Sequence, residues 1–200
     1  MVSSSGAWKS AERLVARKLG DWWCGNEDAF KRAPVSGGWP KKRSHGDILT
    51  NDDIDQPRDV ITSARKFMSL FAIDVKRRIK GSAGTEWHLE QLLSAPKHPV
   101  FDWWEDVTQL ANRLHRMRML IFTKAKRQYV LMFGPEGIAW LRDRLGSEFD
   151  SLSRTRATFY VEGMTEELTV FDLGKFLKKI DARLLGGGCV CEEESKEESS

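Results

Sequence analysis

The sequence has few cysteines and no long apolar run. Of its 200 residues only three are cysteines, Cys24, Cys189 and Cys191, and the last two lie in a Gly- and Glu-rich tail. This pattern makes no disulfide framework, so we expect all three to be reduced, and a lone Cys-x-Cys pair is weak evidence for zinc. No stretch approaches the roughly 20 apolar residues of a membrane span, and the N-terminus lacks the basic and apolar blocks of a signal peptide. We therefore expect a soluble, intracellular protein with no membrane partner.

Two common ligand-binding motifs are also missing. No Gly-rich loop of the Walker type occurs, so we expect neither a nucleotide cofactor nor ATP-driven chemistry. Asp52, Asp53 and Asp55 crowd a turn-rich stretch, but the twelve-residue calcium-loop pattern with its glycine and closing glutamate is absent. His45 precedes a predicted strand without a nucleophile to pair with, which gives it no catalytic assignment.

The charge of the chain is distributed unevenly. The formal net charge is +3, but residues 189–200 hold five glutamates and one lysine. Without them, 31 basic residues face 24 acidic ones, which leaves +7 on the rest of the chain. A basic body with an acidic tail suits a polyanion such as nucleic acid. The alternative is that the basic residues only keep the fold soluble.

Hydrophobic periodicity predicts an α/β protein. The predicted helices cover residues 10–23, 86–93, 101–115, 135–145 and 173–185. The predicted strands cover residues 30–35, 46–49, 67–77, 118–123, 128–133, 157–161 and 167–171. Residues 67–77 are the most strand-like run and should be central in the sheet. Of the eight tryptophans, Trp103, Trp104 and Trp140 fall in amphipathic helices and are predicted to be core.

Two acidic residues and a lysine form the most informative pattern. Asp74 and Lys76 end the apolar run Phe-Ala-Ile-Asp-Val-Lys and lie on the same side of a strand, while Asp47 lies in what reads as a neighbouring strand. Asp47, Asp74 and the carbonyl of Val75 are hard oxygen ligands for Mg²⁺ or Mn²⁺. Lys76 can then position a water and stabilise developing charge. The pattern predicts a metal-dependent phosphodiesterase, although an exposed strand of alternating charges also fits Asp-x-Lys alone.

A polar, basic loop lies between the first two predicted strands. It spans residues 36–45 and contains Ser36, Gly37, Lys41, Lys42 and Arg43. A loop of this composition can approach phosphates closely, so we expect it to contact DNA. Trp39 in the same loop is a candidate to stack on bases at a branch point.

Several of these segments resemble the archaeal-type Holliday junction resolvases, members of the PD-(D/E)XK (restriction-endonuclease-like) superfamily. The resemblance covers roughly residues 6–93. In chain order it rests on Gly6, Glu12-Arg13, Phe30-x-Arg32-x-Pro34-x-Ser36-Gly37-Gly38, Gly46-Asp47-Ile48 and Ile73-Asp74-Val75-Lys76. The usual Pro-Asp of the superfamily is Gly46-Asp47 here, and its usual Glu-x-Lys is Asp74-x-Lys76.

The resemblance implies a central mixed sheet flanked by helices, in a homodimer that nicks a four-way DNA junction. It assigns Glu12 as a further metal ligand and Arg13 as a phosphate contact. It places Arg32 and Ser36 near the scissile phosphate, and it suggests Gln91 as a supporting residue of the site. The catalytic set is then Glu12, Asp47, Asp74 and Lys76.

The predicted organisation has three parts. Residues 1–134 form the nuclease core, with an insertion at about 50–66; residues 135–186 form a C-terminal α+β extension packed on the core; residues 187–200 form a disordered acidic tail. Two alternatives to a junction-resolving enzyme stay open. One is a general or sequence-specific DNA nuclease of replication, repair or restriction, and the other is a DNA-binding protein with a vestigial nuclease site.

Overall fold

The structure is a computed structural model that describes residues 4–34, 45–76, 99–125, 128–160 and 166–188. Its helices are α1 (Ser4–Cys24), α2 (Arg58–Leu70), α3 (Pro99–Leu114), α4 (Pro135–Leu145), α5 (Glu148–Ser151) and α6 (Leu173–Lys179). Its strands are β1 (Phe30–Arg32), β2 (Ile48–Thr50), β3 (Phe71–Lys76), β4 (Met117–Ala125), β5 (Gln128–Phe133), β6 (Arg156–Tyr160) and β7 (Glu167–Asp172). None of the helices within these ranges has the length and apolarity required to cross a membrane.

Five of the strands form one mixed sheet in the order β3-β4-β5-β7-β6. β3 and β4 are parallel, joined by a crossover that contains α3, and the other neighbours are antiparallel. β1 and β2 form a separate antiparallel pair. The backbone of Asp47, just before β2, connects this pair to β3, because its N–H donates to the carbonyl of Ile73 at 2.9 Å.

Helices cover both faces of the five-stranded sheet. Strand β4 shows why, since Met119 and Ile121 enter one apolar core while Leu120 and Phe122 enter another, as the two-residue period of a strand requires. The first core packs against α1, α2, α4 and α6 and is rich in aromatic rings. The second lies under α3, whose buried residues include Val100, Trp104 and Val107. The predicted mixed sheet flanked by helices is confirmed at this level.

Most of the predicted elements are confirmed, with shifted ends. The helices at 10–23, 101–115 and 135–145 and the strands of the 118–133 and 157–171 regions are present. The two short strands near the N-terminus are Phe30–Arg32 and Ile48–Thr50, so Asp47 precedes its strand rather than lying within it. Trp104 is fully buried, and Trp103 and Trp140 pack against the two cores. The predicted helix at 86–93 lies outside the described residues.

The predicted strand over residues 67–77 was wrong at its beginning. Residues 67–70 are the last turn of α2, and β3 starts at Phe71 without an intervening loop. Val60, Ala64, Phe67 and Met68 are buried at the spacing of a helical stripe, and this stripe runs directly into the apolar strand. Because the apolar residues of the helix end continue directly into those of the strand, the sequence does not show where the helical period changes to the strand period.

The predicted final helix over residues 173–185 was also wrong, because it is interrupted. Helix α6 ends at Lys179, and a separate 3-10 turn covers Ala182–Leu185. Ile180 and Asp181 have extended backbones between them, and the Asp181 carboxylate accepts a hydrogen bond from the Arg183 N–H at 2.9 Å. This carboxylate caps a new turn, which favours a break over a continued helix.

The C-terminal region contributes strands to the main sheet. β7 pairs with β5 and β6 pairs with β7, so these two strands extend the sheet that β3, β4 and β5 begin. The hydrogen bonds of the sheet therefore connect strands from both sides of residue 134, since β5 precedes it and β7 follows it. The division into a core of residues 1–134 and an extension of 135–186 stays a prediction, and the tail from residue 189 lies outside the described ranges.

A charge cluster around Arg118 joins α3, α4 and the segment before β7 at the end of the sheet where β4 starts. The guanidinium donates to both carboxylate oxygens of Glu136 at 2.6 and 2.7 Å and to both oxygens of Glu166 at 2.7 and 2.6 Å. The Trp104 indole also donates to Glu166. Burial acts to raise the pKa of Glu136, but the hydrogen bonds from Arg118 outweigh it, so the pKa is lowered. Arg118 and Glu136 therefore stay ionised at neutral pH, and their ion pair connects β4 to α4.

Candidate functional site

Four charged residues of the described chain are buried, and three of them lie on β3 or on the segment that is hydrogen-bonded to it. In the described ranges they are Glu12, Asp47, Asp74 and Lys76, which are 3%, 2%, 2% and 6% exposed. Charged side chains are rarely buried to this extent, because loss of hydration is costly unless it is compensated. The same four residues are the catalytic candidates of the sequence pattern. Their burial is therefore independent support for a functional site at this place.

Asp47 is held against β3 through both its backbone and its side chain. Its N–H donates to the Ile73 carbonyl at 2.9 Å, and its Oδ2 accepts from the Val75 N–H at 2.8 Å. Gly46 allows this close approach, since a Cβ atom at that position would lie 2.4 Å from the Ile73 carbonyl oxygen. The absence of a side chain at residue 46 thus lets Asp47 reach the strand that carries Asp74.

Lys76 lies between two acidic side chains. Its Nζ is 2.9 Å from Oδ2 of Asp74 and 3.4 Å from Oδ2 of Asp106, a residue of α3. Ile73 and Val75 enter the opposite core, so Asp74 and Lys76 face α3, as the alternation of β3 predicts. Burial acts to lower the pKa of Lys76, but the charges of Asp74, Asp47 and Asp106 together raise it. The ammonium therefore stays charged at neutral pH.

Glu12 and Arg32 form an ion pair beside this group. Glu12 comes from α1 and Arg32 from β1, and both side chains are largely shielded from solvent. The backbone continues this arrangement, because the N–H of Ala33 donates to the Asp47 carbonyl at 2.8 Å. Arg32 therefore directly precedes a residue that is hydrogen-bonded to Asp47. Helix α1, which carries Glu12, packs on both β1 and β3. The fold brings Glu12 and Arg32 to the side of the site that Asp47 occupies.

The charges and donor atoms fit a divalent cation. The carboxylates of Glu12, Asp47 and Asp74 and the ammonium of Lys76 give a formal net charge of −2. Their partners Arg32 and Asp106 have opposite charges, so including them does not change this sum. Among the described residues no three His, Cys, Asp or Glu side chains converge as a ready-made metal cage. Mg²⁺ does not require one, because proteins usually bind it through one or two carboxylates together with water and substrate phosphate. Asp47 and Asp74, with the Val75 carbonyl, match that donor set.

The other predicted site residues divide into two groups. Arg13 is exposed on α1, next to Glu12 in the chain but on the solvent side of the helix. The rest lie outside the described residues and stay predictions: Ser36, Gly37, Trp39, Lys41, Lys42, Arg43 and Gln91.

Asp106 is the site residue that sequence reasoning missed. It lies in an amphipathic helix with Asp102 and Glu105 close by, and nothing in the local pattern separates it from these two exposed acids. Its side chain is about one-third exposed, and its contact with Lys76 exists only because α3 packs on β3. A search of the sequence for acidic residues in the crossover helix would have found Asp106, but it could not have preferred it to Asp102 or Glu105.

The fold and this site define a class of protein. One carboxylate on a strand, a second held against that strand by hydrogen bonds, and a lysine two residues after the first are features of a PD-(D/E)XK nuclease, as is the mixed sheet flanked by helices. A family model described as phage putative PDDEXK endonuclease matches residues 6–184. The chain belongs to this phage PDDEXK endonuclease family. No curated protein and no solved structure matches the chain.

The family match confirms the superfamily that the sequence predicted and supports a nuclease. It extends through residue 184, well beyond the 6–93 range of the predicted resemblance. The match does not distinguish the resolvase type within the superfamily. The residues that follow β5 are part of the matched family, in agreement with their place in the same sheet.

Proposed function

We propose that the protein is a metal-dependent endonuclease that hydrolyses phosphodiester bonds of DNA. The observation that carries the proposal is the burial of Asp47, Asp74 and Lys76 on one strand and the segment bonded to it. A DNA substrate agrees with the family and with the +7 charge of residues 1–188.

Each residue of the site has a role in this proposal. Asp47, Asp74 and the Val75 carbonyl hold Mg²⁺ or Mn²⁺, with Glu12 as a further ligand. When bound, the cation neutralises charge on the scissile phosphate and lowers the pKa of a coordinated water. The N–H of Val75 keeps the Asp47 carboxylate in one orientation. The Lys76 ammonium donates to the attacking water or to a phosphate oxygen, where it stabilises negative charge that develops in the transition state.

Arg32 and Arg13 are proposed phosphate contacts. The ion pair with Glu12 keeps the Arg32 guanidinium at the site in the absence of DNA. Arg13, exposed on the same helix as Glu12, can contact a phosphate farther along the strand. The loop residues Ser36, Gly37, Lys41, Lys42 and Arg43 and the supporting residue Gln91 complete the proposed set.

We assign branched DNA as the preferred substrate, with a homodimer placing two sites on a four-way junction. The support is the resemblance of residues 32–38 and 46–48 to junction resolvases. A general or sequence-specific duplex nuclease is the alternative that uses the same chemistry. A DNA-binding protein with a vestigial site is disfavoured, because every chemical position is occupied by a competent residue.

The decisive experiment compares a synthetic four-way junction with linear duplex of varied sequence, each with Mg²⁺ and with EDTA. We expect nicking of the junction only with the metal, and at least about tenfold slower cutting of the duplex. Equal rates on both substrates would replace the resolvase assignment with a general nuclease. Cutting in EDTA would contradict the metal mechanism, and junction binding without cutting under Mg²⁺ or Mn²⁺ would favour the vestigial alternative.

Asp106 is proposed to orient Lys76, and Asp106→Ala tests this. Without Asp106, the ammonium keeps Asp74 as its near partner and loses the contact from α3, so its position over the site is less defined. We expect the single-turnover cleavage rate to fall by about tenfold or more with DNA affinity unchanged, since small misplacements of catalytic groups reduce rates strongly. Asp102→Ala, an exposed acid of the same helix, is the matched control. Equal rates for the two variants would remove Asp106 from the mechanism.

A further inference from the structure

A cavity lies toward the β6 edge of the sheet, the edge opposite β3 and Asp74. Its volume is about 360 Å³, and it is formed by the starts of β5 and β6, the end of β7 and the first turn of α6. Its charged lining residues are Arg154, Arg156, Asp172 and Lys175. None of these residues takes part in the site described above.

The lining of this cavity is basic. Arg154, Arg156 and Lys175 face a single acidic residue, Asp172. The Asp172 carboxylate is engaged in the fold, because its Oδ1 accepts the N–H of Lys175 at 2.8 Å and caps α6. Arg154 and Lys175 are exposed at the rim, where long cationic side chains can reach an incoming anion. The formal charge of the described lining is therefore +2, from three basic residues and one acidic residue.

Arg156 adds an independent observation. Its guanidinium stacks on the Phe149 ring at 4.4 Å, which fixes its plane, and its Nη1 is buried without a hydrogen-bond partner in the described part of the chain. Buried donors without an acceptor are uncommon in native proteins, and where one occurs a bound ion or water often completes it. An anion in this cavity would supply the acceptor that the described residues do not.

The register of the sheet relates this cavity to the catalytic strand. Lys76 is the register partner of Phe122 in β4. Phe122 pairs with Val130 in β5, and Val130 pairs with Asp172 at the end of β7. The cavity and Lys76 therefore lie in one row across the sheet, at the same end. With strands about 4.8 Å apart, the row measures about 14 Å to β7 and about 19 Å to β6.

The cavity is lined from both faces of the sheet. Tyr129 and Phe171 belong to the core on the α6 side, and Arg156 stacks on Phe149 of that same core. Phe122 and Val130 share the apolar core under α3, and Asp74 and Lys76 face the same helix. Val170 and Ala157, which line the cavity, contact that core as well. A strand of DNA with its scissile phosphate at Lys76 could pass along this end of the sheet to the cavity, where the strand ends are open to both faces.

We infer that this cavity is a second phosphate-binding site, which holds a phosphate of the DNA strand that is cut. The inference rests on the proposed DNA nuclease function and adds to it a defined position for a distant contact. A distance of about 14–19 Å corresponds to about four to six base steps at about 3.4 Å per step. Arg154 and Lys175 bind the phosphate at the rim, and Arg156 binds it from within.

Charge reversal at the rim tests this inference. Arg154→Glu and Lys175→Glu are made in a chain that also carries Asp74→Asn, so that binding is measured without cleavage. We expect each to weaken DNA binding by about tenfold in Mg²⁺ and to reduce the salt dependence by about one phosphate contact. The matched control is Arg144→Glu, the same charge change at an exposed residue of α4 outside the cavity. Loss of affinity in Arg144→Glu equal to that in both rim variants would overturn the inference.

A DNA strand with one neutral methylphosphonate linkage locates the contact. After the cut has been mapped with active protein, the linkage is moved from two to eight nucleotides from the cut on each side. We expect one position four to six nucleotides away to weaken binding, with no further loss when combined with Arg154→Glu. Independent, additive losses at that position would overturn the inference.

Inorganic phosphate distinguishes a DNA phosphate from a free one. If phosphate at millimolar concentration raises the melting temperature of the wild-type protein but not of Arg154→Glu, while DNA affinity is unaffected by Arg154→Glu, the cavity binds a free anion and the DNA assignment is wrong. The binding measurements stand even if no DNA is cut under any metal. A failure of the nuclease proposal is therefore separate from a failure of the second phosphate site.

Discussion

Asp74→Asn is expected to reduce DNA cleavage by at least about a hundredfold while DNA binding is retained. The substitution keeps the size of the side chain but removes a negative charge that the proposed cation requires. Loss of one group that stabilises the transition state already lowers rates by about 10²–10³-fold in well-studied enzymes. Cleavage rates and DNA affinity, measured on the same substrate in Mg²⁺, check this prediction.

Stability provides a second readout for Asp74→Asn. Removing one acid reduces the formal negative charge of the buried residues from −2 to −1, and Lys76 keeps Asp106 as a partner. We expect the melting temperature of the metal-free protein to be unchanged or higher, because active-site charges are commonly held at a cost in stability. Asp52→Asn, at an exposed turn acid, is the control and should change neither property. Cleavage by Asp74→Asn at the wild-type rate would refute the site.

Gly46→Ala is expected to damage both the fold and the activity, although it adds only a methyl group. The new Cβ would lie 2.4 Å from the Ile73 carbonyl oxygen and 3.2 Å from the Ile73 nitrogen. Both are backbone atoms of a strand and cannot rotate away, so the segment before β2 must move. The hydrogen bond from the Asp47 N–H to that same carbonyl is the first to be strained.

We expect Gly46→Ala to lower the free energy of unfolding by about 2–3 kcal/mol, in the range for overpacked cores. For a chain of this size that corresponds to a decrease of about 5–10 °C in melting temperature. Cleavage should fall by tenfold or more, because Asp47 is displaced from β3. Gly174→Ala is the control, since the nearest atom to its Cβ would be 3.5 Å away. A Gly46→Ala protein as stable and active as Gly174→Ala would show that the close approach is not required.

The site residues Asp47, Asp74 and Lys76 could be predicted because their information is local. Asp74 and Lys76 are two residues apart on a strand, so their side chains lie on the same face. An Asp-x-Lys at the end of an apolar run also indicates a buried polar site. Glu12 and Arg32 were assigned through the resemblance to junction resolvases. The structure pairs them as ions, and their catalytic roles stay proposals. Asp106 had no such signal, because its contact with Lys76 depends on how α3 packs on β3.

The errors in the predicted elements have the same origin. Residues 67–70 are apolar in a way that satisfies a helix or a strand, and the choice depends on which core the side chains enter. The break at Ile180 and Asp181 depends on a capping bond that composition does not reveal. Where a segment has one strong period, as in α3, prediction and structure agree.

By itself, the amino-acid sequence determined the class of fold, the acid and lysine residues of the proposed nuclease site and the basic character of the body, because these follow from residue type and short-range spacing. Only the tertiary structure decided that Asp47 is held against the strand of Asp74 and Lys76, that Asp106 contacts Lys76, that β6 and β7 continue the main sheet, and that a basic cavity lies in the same row of the sheet as Lys76. Those features depend on strand order and helix packing, which join residues far apart in the chain. The spacing of neighbouring residues in the sequence does not predict these long-range contacts.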